Sequence, residues 1–287
     1  MKRKVITALL AATMVASLAV GCGNKGGDSK SDSSKSSSSD EITIGFSQVG
    51  AESDWRTANT ESMKSTFSEE NGYELIFDDA QQKQENQLTA IRNFIQQEVD
   101  YILLAPVTET GWDTVLQEAK DADIPVIIVD RMVDVSDDSL YTTWIGTDSL
   151  LEGRKAAEWL NAYTTAKGID AKDVNIVDIQ GTIGSTAQIG RSKGLEEGVD
   201  NYGWNLLAQQ SGEFTQAKGQ EVMESMLKQH DNINVVYCEN DNEAFGAIDA
   251  IEAAGKTVGP DGDILVMSFD TTNAGLTDTL SGKIICD

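Results

Sequence analysis

Three arginines, three aspartates, an asparagine and two aromatics carry the chemistry available to this sequence, and nearly all of them fall just after a short apolar run. Trp55 and Arg56 follow ITIGF (42–46), Asp130 and Arg131 follow PVIIV (125–129), and Phe214 follows NLLAQQSG (205–212). Asn240 and Asp241 follow INVVYC (233–238), Asp270 follows DILVMSF (263–269), and Arg191 falls on the helix expected after VNIVDIQG (174–181). This mixture suits a polyhydroxylated ligand. Hydroxyls accept from guanidinium and amide N–H groups and donate to carboxylates, while C–H faces pack on aromatic rings. Each residue alone also has an ordinary structural reading. An Asp at a strand end caps a helix or a turn, Arg131 can pair with its neighbour, and Trp55 can close a core. Their common position is what argues for a site.

Other chemistries are poorly supplied. The single histidine, His230, sits in the polar stretch KQHDN, which reads as an exposed helix end, so a Ser-His-Asp or Cys-His arrangement has no convincing base. Cys22, Cys238 and Cys286 show no zinc spacing. Cys238 and Cys286 remain a possible pair, though both end strand-like runs and read more simply as buried small hydrophobes. GTIG (181–184) is neither a dinucleotide fingerprint nor a P-loop, and ENDNE (239–243) lacks the spacing of a calcium loop. No cofactor or metal is expected, and no enzyme. The chain carries 47 acidic against 22 basic residues, a net charge of −25, which excludes a nucleic-acid surface built on Lys and Arg.

The elements that must position these residues alternate. Strand-like runs ITIGF, YELIF (73–77), YILLAPV (101–107) and PVIIVD form one series. VNIVDIQG, NLLAQQSG, INVVYCEN (233–240) and DILVMSFD (263–270) form a second. Continuous apolar runs of this kind suit parallel strands covered on both faces. Helical faces recur between them: Leu88, Ile91, Ile95 and Val99; Val115, Leu116 and Ala119; Met223, Met226 and Leu227. The middle region adds a possible crossing strand, TTWIG (142–146), and an Ala-rich helix with Trp159. The expected class is α/β, with two Rossmann-like lobes of parallel sheet, 41–145 and 146–287, and a ligand cleft beyond the strand ends.

The N-terminus reads as a targeting segment. Three positive charges at Lys2, Arg3 and Lys4 precede sixteen uncharged residues, too short for a membrane span of about 20. AVGC (19–22) resembles a bacterial lipobox, so 1–22 is expected to be a signal peptide with Cys22 as the lipidated residue. Residues 23–40, with eight Ser and no apolar side chain, are expected to be a tether without a fold.

SQVGAESDWR (47–56), QQKQENQ (81–87), APVTETGWDTVLQEAKDADIPV (105–126) and VDR (129–131) resemble the first lobe of bacterial galactofuranose-binding proteins. QGTIGSTAQIGRSKG (180–194), SGEFTQAKGQEVMESML (211–227), END (239–241) and SFD (268–270) resemble their second lobe. These are ribose/galactose-type periplasmic binding proteins of ABC transporters. The resemblance implies a monomer that closes about a hinge on one monosaccharide and delivers it to a membrane permease, outside the cytoplasm. It carries the stacking aromatics onto Trp55 and Phe214, and the polar contacts onto Arg56, Asp130, Arg131, Arg191, Asn240, Asp241 and Asp270. Arg56 stands where ribose binders tend to have phenylalanine. A sensing protein serving a chemoreceptor or sensor kinase through the same sugar site is the alternative. Lac-repressor-type regulators share the fold but begin with a helix-turn-helix, and a surface-anchored glycoside hydrolase would show turnover. In the family the chain continues past the strand that here reads KIICD (283–287) and returns to lobe one, so a C-terminal truncation is expected.

Overall fold

The computed structural model describes residues 41–287; the expected signal segment, Cys22 and the Ser-rich stretch lie outside them. The first sheet takes β1 (Ile42–Gln48), β2 (Tyr73–Asp79), β3 (Tyr101–Leu104), β4 (Val126–Val129) and β5 (Thr143–Ile145) in the order β2-β1-β3-β4-β5. The second takes β6 (Asn175–Gln180), β7 (Asn205–Ser211), β8 (Val235–Cys238) and β9 (Leu265–Met267) in the order β7-β6-β8-β9. Every pairing is parallel. In each sheet the strand order reverses beside the first strand, β1 or β6, and such a switch point opens a crevice at the carboxyl ends. TTWIG does not cross between lobes. It forms β5, the edge of the first sheet, in register with β4.

The helices are α1 (Asp54–Thr66), α2 (Gln84–Gln96), α3 (Asp113–Asp121) and α4 (Ser149–Lys167), then α5 (Thr186–Tyr202), α6 (Gln216–Gln229), α7 (Asp241–Ala253) and α8 (Asn273–Ser281). Side chains of Ser53, Asp148, Ser185, Thr215, Asn240 and Thr272 each accept a backbone N–H in the first turn of the helix that follows. These bonds satisfy donors that a helix start leaves open.

The α2 face differs from the periodic reading. Gln87, Ala90, Ile91 and Phe94 are buried, Leu88 and Ile95 only half-buried, and Val99 lies past the helix end. Gly45 on β1 is the cause: a side chain there would overlap the Phe94 ring, so its absence opens the slot that turns the helix. Gln87 is buried because its amide replaces ladder bonds beyond β3. It donates to Ala105 O at 2.7 Å and accepts from Val107 N at 2.9 Å, ending the strand at Leu104.

The second sheet is apolar on both faces. Val177, Ile179, Val236 and Cys238 pack with Met223 and Ile248 of α6 and α7. Ile176, Val235 and Tyr237 pack with Leu160 and Leu195 of α4 and α5. Cys238 and Cys286 are free thiols, Cys238 in the first of these layers and Cys286 against the second, so the sheet separates the candidate pair.

Candidate functional site

A cavity of about 470 Å³ lies at the carboxyl ends of both sheets, within the range of small-molecule sites. Backbone strain concentrates there. Asp130 after β4, Glu213 and Phe214 after β7, and Asp270 and Thr271 after β9 all have φ between 53° and 101°. Non-glycine residues enter this region rarely, and strain of this kind clusters at ligand sites.

The first lobe supplies a chain of charges. Ser53 caps α1 and thereby directs Arg56 inward, where Nε donates to Glu52 Oε1 at 3.1 Å and Nη2 to Asp130 Oδ2 at 2.5 Å. Arg131 Nη2 donates to the same Glu52 Oε1 at 3.1 Å. Burial lowers the Arg56 pKa, but Asp130 and Glu52 outweigh it and the net shift is upward. Arg131 moves the other way, through burial first and the Arg56 cation second. Trp55 is half-buried on the cavity wall, with the Arg56 guanidinium 4.9 Å from its ring centroid.

The second lobe builds a matching half around Arg191. Its Nε donates to Glu152 at 3.1 Å, Nη2 to Asp270 at 3.3 Å and Nη1 to the Glu239 carbonyl at 2.5 Å. Tyr237 Oη donates to the Arg191 carbonyl at 3.0 Å, and Phe269 lies under the guanidinium at 4.7 Å. Burial raises the Asp270 pKa to about 7, although Arg191 opposes the shift. Phe214 rests on Gly181, where a side chain would overlap its ring, and its N–H donates to Glu243 at 2.9 Å.

Three bonds join the lobes beside the cavity. Asp54 N donates to Asn242 Oδ1 at 3.0 Å, Glu109 N to Gly184 O at 2.8 Å, and Met132 N to Thr186 Oγ1 at 2.9 Å. The lobes are therefore closed on one another.

Of the nine residues expected to meet a ligand, Trp55, Arg56, Asp130, Arg131, Arg191, Phe214, Asn240 and Asp270 line this one cavity. Asn240 contributes mainly as scaffold: Oδ1 caps Glu243 N and Nδ2 donates to the Phe214 carbonyl. Asp241 does not line the cavity. It is fully buried at the start of α7, where its carboxylate accepts from Ser268 Oγ and from the N–H and hydroxyl of Thr272, tying α7 to α8. Its strand-end position was the right signal for burial and the wrong one for direction. Glu52, Glu152 and Trp159 also line the cavity and were not anticipated. Glu52 stands four residues before Arg56, a spacing that offers an ion pair. Glu152 and Trp159 come from α4, which a search of strand ends alone passes over.

Among the described residues, no group of three His, Cys, Asp or Glu is arranged to hold a metal ion, and no helix is long and apolar enough to cross a membrane.

A family model described as a periplasmic binding protein domain matches residues 44–285. The galactofuranose-binding protein YtfQ of Escherichia coli K12 is 47 % identical over 233 residues, 80 % of this chain and 71 % of that protein. A Mycobacterium smegmatis structure in complex with β-D-fucofuranose is 48 % identical with a TM-score of 0.80, covering 85 % of this chain and 78 % of the other. The periplasmic binding component of the arabinose ABC transporter of Shewanella sp. ANA-3, bound to α- and β-L-arabinofuranose, is 45 % identical with a TM-score of 0.78 and the same coverage.

Proposed function

The chain belongs to the periplasmic binding protein domain family, and on that premise we propose that it captures a monosaccharide in furanose form outside the cytoplasm and delivers it to an ABC transporter permease. One observation carries the ligand class. Arg56, Arg131 and Arg191 are buried at the cavity, and each is already paired with a carboxylate: Asp130 and Glu52, Glu52, and Asp270 and Glu152. Such a cleft is rich in directed donors and acceptors yet nearly balanced in charge. It favours a neutral polyol over a sugar acid or phosphate.

The arginines donate to ring and exocyclic hydroxyls, and Asp130 and Asp270 accept hydrogen bonds from hydroxyls. Trp55 and Phe214 take the C–H faces. Closure of the lobes removes water from these contacts, and a hydroxyl that is missing or misplaced leaves a buried group unpaired, which discriminates strongly between sugars. The furanose preference rests on the ligands of the similar proteins, fucofuranose and arabinofuranose among them, and on Arg56 as an added donor for an exocyclic chain. Because one chain's two lobes enclose the site, a monomer suffices for binding.

Cys22 is the proposed lipid anchor, with residues 23–40 as the tether that lets the body reach a permease. Palmitate labelling should vanish in Cys22→Ser while export continues; label that persists would contradict the anchor. For the sugar, a thermal-shift panel of galactose, arabinose, ribose and glucose should stabilise the protein with a few sugars only, and silence across the panel would contradict the binding reading.

A further inference from the structure

We propose that Glu52 is a positioning residue of this site, the acceptor that holds Arg56 and Arg131 side by side as hydroxyl donors and keeps the first lobe's half of the cleft balanced in charge. The inference rests on the sugar-binding reading and deepens it. A single oxygen, Oε1, accepts from Arg56 Nε and from Arg131 Nη2, each at 3.1 Å. The two cations reach it from different elements, one from α1 and the other from the segment after β4. All three side chains are nearly sealed from solvent, 1 % exposed for Glu52 and 3 % and 4 % for the arginines.

The two arginines depend on Glu52 unequally. Arg56 has Asp130 as a second carboxylate. Arg131 has only Glu52 among the described residues, with a long 3.4 Å bond to the Val107 carbonyl besides. Without the Glu52 charge, two buried guanidiniums would face each other with one carboxylate between them, and removing one partner of a buried ion pair is far costlier than the pair is worth. Arg131 would be the one to move. Its guanidinium lies 4.9 Å from the Phe214 ring centroid, so its displacement also loosens the wall contributed by the second lobe. Glu52 Oε2 and Arg56 Nη1 bond to no other protein group, an acceptor and a donor left open on two residues that line the cavity. A plain ion pair at a helix start explains the Arg56 contact. It does not explain why the same oxygen serves Arg131.

The test is calorimetric titration of the full chain with D-galactose, L-arabinose and D-galacturonate. Glu52→Gln keeps the shape and removes the charge. It should bind the preferred neutral sugar at least tenfold more weakly, and the ratio of galacturonate to neutral-sugar affinity should rise at least tenfold, because an unbalanced guanidinium favours an anion. A purely structural role would weaken both ligands in proportion; that result, or a neutral-sugar affinity within twofold of wild type, overturns the proposal. Glu52→Asp keeps the charge and shortens the reach, so it should lose neutral-sugar affinity severalfold at the wild-type ratio, and an altered ratio would count against the role. If the Gln variant fails to fold, Glu52→Gln combined with Arg131→Gln carries the test: with both partners of the pair neutral it should fold and hold the ratio within threefold of wild type, and a double variant that also fails to fold, or whose ratio shifts tenfold, overturns the proposal. A wild-type protein that binds neither neutral sugar overturns the sugar-binding reading and this proposal with it. Wild-type binding with an unaffected variant overturns the Glu52 role alone.

Discussion

Arg131 and Phe214 meet across the cleft, the guanidinium carbon 4.9 Å from the ring centroid. One follows β4 in the first sheet and the other follows β7 in the second, so the contact exists only while the lobes are together. A cation over an aromatic ring is worth ~0.5–1 kcal/mol where exposed and ~2 kcal/mol or more where desolvated. The same two side chains that would face a sugar therefore also favour the closed state, and the position of Phe214 becomes a lever on both.

That lever can be moved from behind. A methyl group at Gly181 would overlap the Phe214 ring, and overpacking of this kind costs ~1–3 kcal/mol. Gly181→Ala should therefore weaken sugar binding by about tenfold or more in calorimetry while the protein still unfolds cooperatively. Wild-type affinity in this variant would mean that Phe214 does not shape the site.

Closure has a second, sugar-independent support. Met132 N donates to Thr186 Oγ1 across the lobes at 2.9 Å. Thr186→Val removes the acceptor, a loss of ~0.5–1.5 kcal/mol. The competent closed form then becomes scarcer, which lowers every apparent affinity by one common factor. Titration should show each sugar weakened by the same factor of about two to ten, with the order among sugars unchanged. A changed order would place Thr186 in the ligand contacts instead.

Buried acids give the stability a pH dependence of definite sign. Burial raises the Asp178 pKa to about 7, with Gln209 opposing and Glu196 adding to the shift, and burial does the same for Asp270. The ordinary value for both is 3.8. Between these values the native state holds protons that the unfolded chain has released, so stability falls as pH rises, by at most ~1.4 kcal/mol per pH unit per group. Asp178→Asn is neutral throughout and should flatten the fall in urea midpoint from pH 5 to pH 7. An identical slope in wild type and variant would show that Asp178 does not carry the proton.

The strands were legible in the sequence because buried parallel strands are written as unbroken apolar runs, and VIIV at β4 or VVYC at β8 can be little else. Strand ends then pointed to the cavity, since a doubly wound sheet leaves its crevice there. Direction was not legible. Asp241 and Asp270 both follow apolar runs, yet Asp241 turns back to Thr272 and Asp270 faces Arg191. Neighbouring chain segments decide that choice, and no local pattern encodes them. Trp159 and Glu152 were hidden for a different reason. They reach the cavity from α4, and a helix packed this closely on α5 depends on Gly153 and Gly194, where side chains would meet the opposing backbone. The buried face of α2 is set by a similar contact, because the slot for Phe94 is made by Gly45 on a strand far away in sequence.

The cleft is proposed to hold a neutral sugar in furanose form, and titration with ring-locked glycosides tests this most directly. Methyl β-D-galactofuranoside and methyl β-D-galactopyranoside share every atom type and differ in ring size and in the placement of one hydroxyl-bearing chain. Calorimetry should show the furanoside binding at least tenfold more tightly, with free D-galactose weak in proportion to its small furanose fraction, because only the competent form binds. Tighter binding of the pyranoside, or equal affinity for the two rings, would contradict the account.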